Sequence, residues 1–223
     1  MLDTLFFIAS IIPFLIQGIS VTLQVTLFAF AIGLALASLL TPIRVFAPVL
    51  LSWLPRTYVE LFRGTPLLVQ LFLIYFGLPS KGIKLDALTA GILALGLNSA
   101  AYQAEIFRAS IKGIPESQFL AAESLGMSRL QVYRYVVFPQ AFRIALPALV
   151  NEFVTLMKES SLVAIIGVAE LTRRGEYLVA YTFRALEVYI AVAMLYLVLC
   201  LTFSQGAKII EKKLKIPGYE RSS

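Results

Sequence analysis

The chain has 223 residues, 59% of them hydrophobic and 14% charged, where an ordinary soluble domain carries roughly 25% charged residues. That is too little charge to cover a water-facing surface, and a net charge of +6 in so apolar a chain points to cytoplasmic loops rather than to nucleic acid. Histidine is absent and Cys200 stands alone, which excludes disulfide frameworks, Cys/His metal sites and histidine-based triads.

Asp3 is the only charge before Arg44, and without a basic opening segment no cleavable secretory signal is expected. The apolar residues then come in long blocks: residues 11–41 and 188–207 contain no charged side chain. About 20 apolar residues cross the hydrocarbon core as a helix. Five spans account for the whole pattern, at about 13–39, 58–78, 88–110, 148–168 and 188–207. Residues 45–54 are too short to cross alone and read as a lead-in to the second span. The expected architecture is an all-α integral membrane protein in one domain covering residues 1–223.

Lys and Arg set the orientation. With the N-terminus outside, the cytoplasmic segments hold Arg44, Arg56, Arg108, Lys112, Arg129, Arg134, Arg143, Lys208, Lys212, Lys213, Lys215 and Arg221. The outer loops hold Lys81, Lys84, Arg173, Arg174 and Arg184, so the bias is twelve against five. The C-terminus is therefore expected in the cytoplasm.

In the second span Arg56, Glu60 and Arg63 recur at one-turn spacings near the cytoplasmic end and read as snorkelling anchors. The third span places Asn98, Tyr102 and Glu105 in one narrow arc. After it comes a cytoplasmic stretch, residues 113–139, with its own punctuation. Pro115 suits a first helical turn, residues 116–124 read as a short helix, and Gly126 is placed to end it in a left-handed cap. Ser128 and Gln131 stand at capping-box spacing and start a second helix, which Pro139 is expected to stop near Phe138.

The fourth span carries Glu152, Lys158 and Glu159. An ionisable group near the bilayer centre costs at least about 2.5–3.5 kcal/mol, so it faces a cavity or a partner. At 100° per residue Asn151, Glu152, Thr155, Lys158 and Glu159 share one arc, while Phe153, Met157 and Ser161 point elsewhere. Such a stripe serves a substrate pathway or a seam where charges pair with each other or across a dimer; the pathway is favoured. On that reading Asn98 and Lys158 offer donors to the anionic group of a polar solute, and Glu152, Thr155 and Glu159 offer acceptors to its cationic group. Beyond it, residues 169–187 form a charged outer connection.

The 113–139 stretch carries a resemblance. Ala121-Ala122-Glu123-Ser124-Leu125-Gly126, followed by Val136-Val137-Phe138-Pro139, resembles the signature loop of binding-protein-dependent ABC importer permeases, which reads Glu-Ala-Ala, three residues, Gly, nine residues, Ile, one residue, Leu-Pro. Ala121, Ala122, Gly126 and Pro139 match; Val136 and Phe138 are apolar replacements, and the family's Glu falls on Leu120. Residues 18–23, 62–70, 98–108 and 158–162 resemble the polar amino acid branch, of the histidine, glutamine and arginine type, in order along the chain.

The resemblance implies an ABC type I importer permease in the bacterial inner membrane. It implies an ATPase-coupling loop that includes Ser117, Gln118, Leu120, Ala121, Ala122, Glu123, Leu125, Gly126 and Pro139. Its implied partners are an ABC ATP-binding subunit, a second permease copy or paralogue, a periplasmic amino-acid-binding protein docking on residues 79–86 and 169–187, and an amino acid substrate. The chain has no phosphate-cradling Gly-rich Lys loop. ATP and Mg are therefore expected on the partner ATPase, with no cofactor and no catalysis here.

Two rivals remain. An ion-gradient-driven secondary transporter of small polar solutes often shows two related halves, and no convincing repeat is present. An intramembrane enzyme would have only Ser–Lys chemistry, for which Lys158 beside Ser160 and Ser161 is a thin basis.

Overall fold

A computed structural model describes residues 2–214. Lys215 and Arg221, and the side chains of Lys208, Lys212 and Lys213, lie outside the described residues. Those described are helical apart from short connections, with no strand among them.

Helix α1 runs Leu2–Phe46 without a break, about 67 Å at 1.5 Å per residue, and contains the expected first span. Pro42 lies in its last two turns and Pro13 about three turns from its start. Helix α4, Ala87–Lys112, contains the expected third span and is the most buried helix in the bundle. Ala29, Gly33 and Ala37 on α1 meet Gly96, Ala100 and Ala104 on α4, each set at four-residue spacing. Small residues let two backbones approach closely, which is how helices pack where lipid supplies no hydrophobic drive.

Between them the chain departs from expectation. The second span is not one helix. Helix α2, Val49–Gly64, ends at extended Thr65, and α3, Leu67–Phe72, starts after Pro66 at 106° to it. Proline excludes Thr65 from the helical region and brings no N–H of its own. From α3 the chain continues as a π-helical turn, Leu73–Gly77, and a 3-10 turn, Leu78–Lys81.

The loop after α4 holds α5, Glu116–Ser124, and α6, Arg129–Gln131. Gly126 has φ 76°. The Ser128–Gln131 capping box is complete, with Gln131 Oε1 accepting from Ser128 N at 2.8 Å. Pro139 does not stop the second helix, contrary to expectation. The chain widens into a π-helical stretch, Val132–Val137, closed by Phe138 N–H donating to the Tyr133 carbonyl, and runs on into α7, Phe138–Glu159. The wider stretch leaves Pro139 in the first turn of α7, where its missing N–H is tolerated.

The expected fourth span, 148–168, is the second half of α7 plus a 3-10 segment, Ser160–Ile166, ended by Gly167 at φ 94°. Helices α8, Leu171–Thr182, and α9, Ala185–Leu214, complete the chain. Residues 169–187 are thus largely helix.

Among the described residues, two helices are long and apolar enough to span a membrane by themselves, over Asp3–Phe46 and Ala185–Gly206; the bent α2–α3 pair makes a third if taken as one. Helices α4 and α7, though 26 and 22 residues long, are not among them.

Candidate functional site

The polar stripe of α7 touches α4 at Glu152. Glu152 is half-buried, and its Oε1 accepts a hydrogen bond from Ser99 Oγ at 2.7 Å. Ser99 accepts in turn from Gln103 Nε2 at 3.0 Å, and the same nitrogen donates to the Phe30 carbonyl at 3.2 Å. Glu152 is therefore anchored through α4 to α1. Gln103 Oε1 is buried without a partner among the described residues. Along the stripe Asn151, Thr155 and Lys158 are exposed and Glu159 is half-buried. Phe153 packs edge-on against Phe30, with centroids 5.2 Å apart, and Met157 is fully buried, so the apolar residues do face away from the stripe.

Asn98 is elsewhere. Its Nδ2 donates to the Phe62 carbonyl at 3.1 Å and to Gln70 Oε1 at 3.0 Å. Gln70 Nε2 donates to the Phe62 and Thr65 carbonyls and to Thr65 Oγ1. Both hydrogens of the Asn98 amide are committed to the α2–α3 bend, where the break leaves helix-end carbonyls without backbone partners. The structure does not bring Asn98 to Glu152, and the donor role expected of it is taken. Ser99, its neighbour one position on, faces α7 instead.

At the other end of α4, Glu105 receives hydrogen bonds from Arg44 and from Arg108, and Arg63 stands 3.9 Å away. Arg63 also lies over the Tyr102 ring, 5.3 Å from its centroid. The arc of Asn98, Tyr102 and Glu105 thus forms one contact line toward α2 and the end of α1.

The loop expected to couple to an ATPase is a small body with its own core. Ile111, Ile114, Ala122, Val132, Val137 and Ala141 are buried together. Phe46 at the end of α1 meets Tyr133 edge-on at 5.1 Å, and burial pushes the Tyr133 hydroxyl pKa up. Of the residues the resemblance singles out, only Ala122 is buried. Ser117, Gln118, Leu120, Ala121, Glu123, Leu125, Gly126 and Pro139 are exposed. Leu120, where the family has Glu, is 57% exposed and Leu125 82%.

On the opposite face Glu170 was expected in a charged surface connection, and it is wholly buried. It caps α8 by accepting from Arg173 N at 2.8 Å, and its other oxygen accepts from Tyr196 Oη at 2.7 Å. Thr22 of α1 lies 3.5 Å from that oxygen and accepts from Leu171 N at 3.2 Å. The N-terminus of a helix is a natural place for a carboxylate. Elsewhere on this face Thr89 donates to Asp86 and lowers its pKa, and the Glu176 carboxylate raises that of Arg173. An open cavity of about 420 Å³ is lined by Phe14, Ala169, Arg174, Tyr177 and Tyr181.

Comparison with known proteins gives this geometry a context. Residues 45–216 match the family described as "binding-protein-dependent transport system inner membrane component". The chain is 41% identical over 207 residues to an arginine transport system permease protein of Bacillus subtilis, covering 92% of this chain and 94% of that one. It is 39% identical over 207 residues to a glutamine transport system permease protein of Escherichia coli, with the same coverage. A solved amino acid ABC transporter with histidines contains a chain 41% identical that superposes with TM-score 0.86, covering 92% of this chain and 96% of that one. The methionine ABC transporter, at 24% identity and TM-score 0.78 over 93% of this chain and 99% of that one, shares the fold.

Proposed function

The chain belongs to the family of binding-protein-dependent transport system inner membrane components, and from that premise we infer that it is the membrane permease subunit of an amino acid ABC importer. The observation that carries the reading is a compact, exposed helical body, α5 and α6, joined to both α1 and α7, in a chain about 40% identical over nearly its whole length to amino acid permeases.

A separate ATP-binding subunit docks on the exposed side of α5, and its closure on ATP moves α7 through the π-helical link. Helices α4 and α7 act as spans beside α1, the bent α2–α3 pair and α9, with the N-terminus outside and the C-terminus in the cytoplasm. The uncovered side chains of Asn151, Thr155 and Lys158 favour a second permease, identical or paralogous, closing a shared pathway, since charges facing lipid are costly. A periplasmic binding protein docks on the face formed by α8 and the 79–86 connection.

The substrate is a polar amino acid. Two carboxylates, Glu152 and Glu159, against one ammonium, Lys158, favour a substrate with positive charge to offer. Vesicles containing this chain, its ATPase and its binding protein test the whole reading: amino acid uptake that requires ATP supports it, and uptake driven by an ion gradient without ATP would replace it with the secondary-transporter alternative. Competition by each standard amino acid then fixes the substrate.

A further inference from the structure

We propose that the cleft where α1, α2 and α4 meet, on the face that bears α5, is a binding site for the headgroup of an anionic phospholipid. The cleft has a volume of about 400 Å³ and is lined by Arg44, Val45, Arg56, Glu60, Arg108 and Lys112. Four cations therefore meet there with two carboxylates, Glu60 on the wall and Glu105, which Arg44 and Arg108 share behind it. Arg56 and Lys112 form no ion pair within 4 Å among the described residues. The local surplus is positive, the donors come from three helices, and a phosphodiester accepts from several donors at once.

The flank of the cleft supplies the second half of the match. Helix α2 leaves Val49, Leu50, Trp53 and Leu54 more than half exposed, Leu50 at 85%, within two turns of Arg56. Free phosphate has no use for such a surface, whereas acyl chains hanging from a headgroup in the cleft would lie on it. Tryptophan next to cations at a bilayer interface is the pattern of an anchored helix, and basic pockets between helices at a membrane face suit anionic headgroups. The 106° bend after Gly64 makes this geometry: it turns α2 away from the line of α3 and brings Arg56 beside the ends of α1 and α4. The inference is independent of the amino acid import reading, because retention of lipid is measured without transport.

The intact complex, purified in mild detergent, is incubated with phosphatidylglycerol or phosphatidylcholine, and bound lipid is counted by native mass spectrometry. Phosphatidylglycerol is expected to be retained in preference. The double variant Arg56→Gln/Lys112→Gln should lower its retention about tenfold or more, since each cation near an anionic lipid surface is worth about 1 kcal/mol. Lys112→Gln alone should give a smaller loss in the same direction, which keeps the test alive if the double variant does not fold. Lys84→Gln, remote on an exposed loop, should leave retention unchanged. Equal retention of both lipids, no loss in either cleft variant, or an equal loss in Lys84→Gln would overturn the proposal. Displacement of phosphatidylglycerol by millimolar glycerol phosphate would overturn it in favour of a free phosphate site.

Discussion

Glu152 owes its place to a neighbour that carries no charge. Ser99 Oγ holds one carboxylate oxygen at 2.7 Å and is itself held by Gln103, so the carboxylate is preoriented for the proposed pathway. Replacing Glu152 by Ala removes both the charge and the anchor. ATP-dependent uptake in reconstituted vesicles should fall by about tenfold or more while thermal stability of the complex changes little; full uptake would reassign Glu152 to packing. Gly18 is a second residue with one task. A Cβ there would stand 2.7 Å from Leu171 Cα, a backbone atom that cannot rotate away. Gly18→Ala should therefore destabilise the complex by about 1–3 kcal/mol, the usual cost of overpacking, read as a lowered unfolding temperature in detergent.

At the scale of elements, two breaks in helical geometry organise the molecule, and the sequence announced only one of the signals around them. Gln70 and Asn98 stitch the α2–α3 bend. Gln70→Leu keeps the bulk but strands the Asn98 N–H that donates to Gln70 Oε1 and removes the donor to the Thr65 carbonyl, while Asn98 still holds the Phe62 carbonyl. An unsatisfied buried polar group costs about 1–3 kcal/mol, and a matching drop in unfolding temperature is expected. Gly126 has φ 76°, and Gly126→Ala should cost about 1–2 kcal/mol there, seen as weaker capture of the ATPase by a cysteine cross-linker at Ser117.

The α5–α6 loop was legible because its determinants are local: Pro115, Gly126 and the Ser128–Gln131 box act within a few residues. The bend was not, because Thr65-Pro66 sits inside an apolar run of spanning length, and hydropathy sums over a window without registering one lost N–H. Pro139 misled in the opposite sense, since nothing local shows that a π-helical stretch will absorb it. Of the candidate site, the α7 stripe followed from periodicity alone. The commitment of Asn98 to Phe62, 36 residues away, and the burial of Glu170 against Thr22, 148 residues away, depend on packing that no window contains.

For the whole molecule, the exposed side chains of Asn151, Thr155 and Lys158 on α7 are where the proposed second permease would close the seam. A Cys200→Ser/Thr155→Cys variant should form a disulfide-linked or bis-maleimide-linked permease pair in membranes, detected on a non-reducing gel. Cross-linking confined to lipid-facing controls such as Leu197→Cys would put the seam elsewhere. The mass of the purified complex distinguishes two identical permeases from a pair of paralogues.

Helix α1 gives the molecule its reach. At about 67 Å it is twice as long as the roughly 30 Å hydrocarbon layer, so its two ends stand clear of the bilayer on opposite sides. One end is tied to the connection between α8 and α9 through Asp3 and Arg184 at 2.8 Å, the other to Tyr133 through Phe46. The helix is unbroken between them, so a rod of this kind can tilt as a unit. A push on one side of the membrane then arrives on the other as a swing of the far tip, with no relay of side chains needed to carry it.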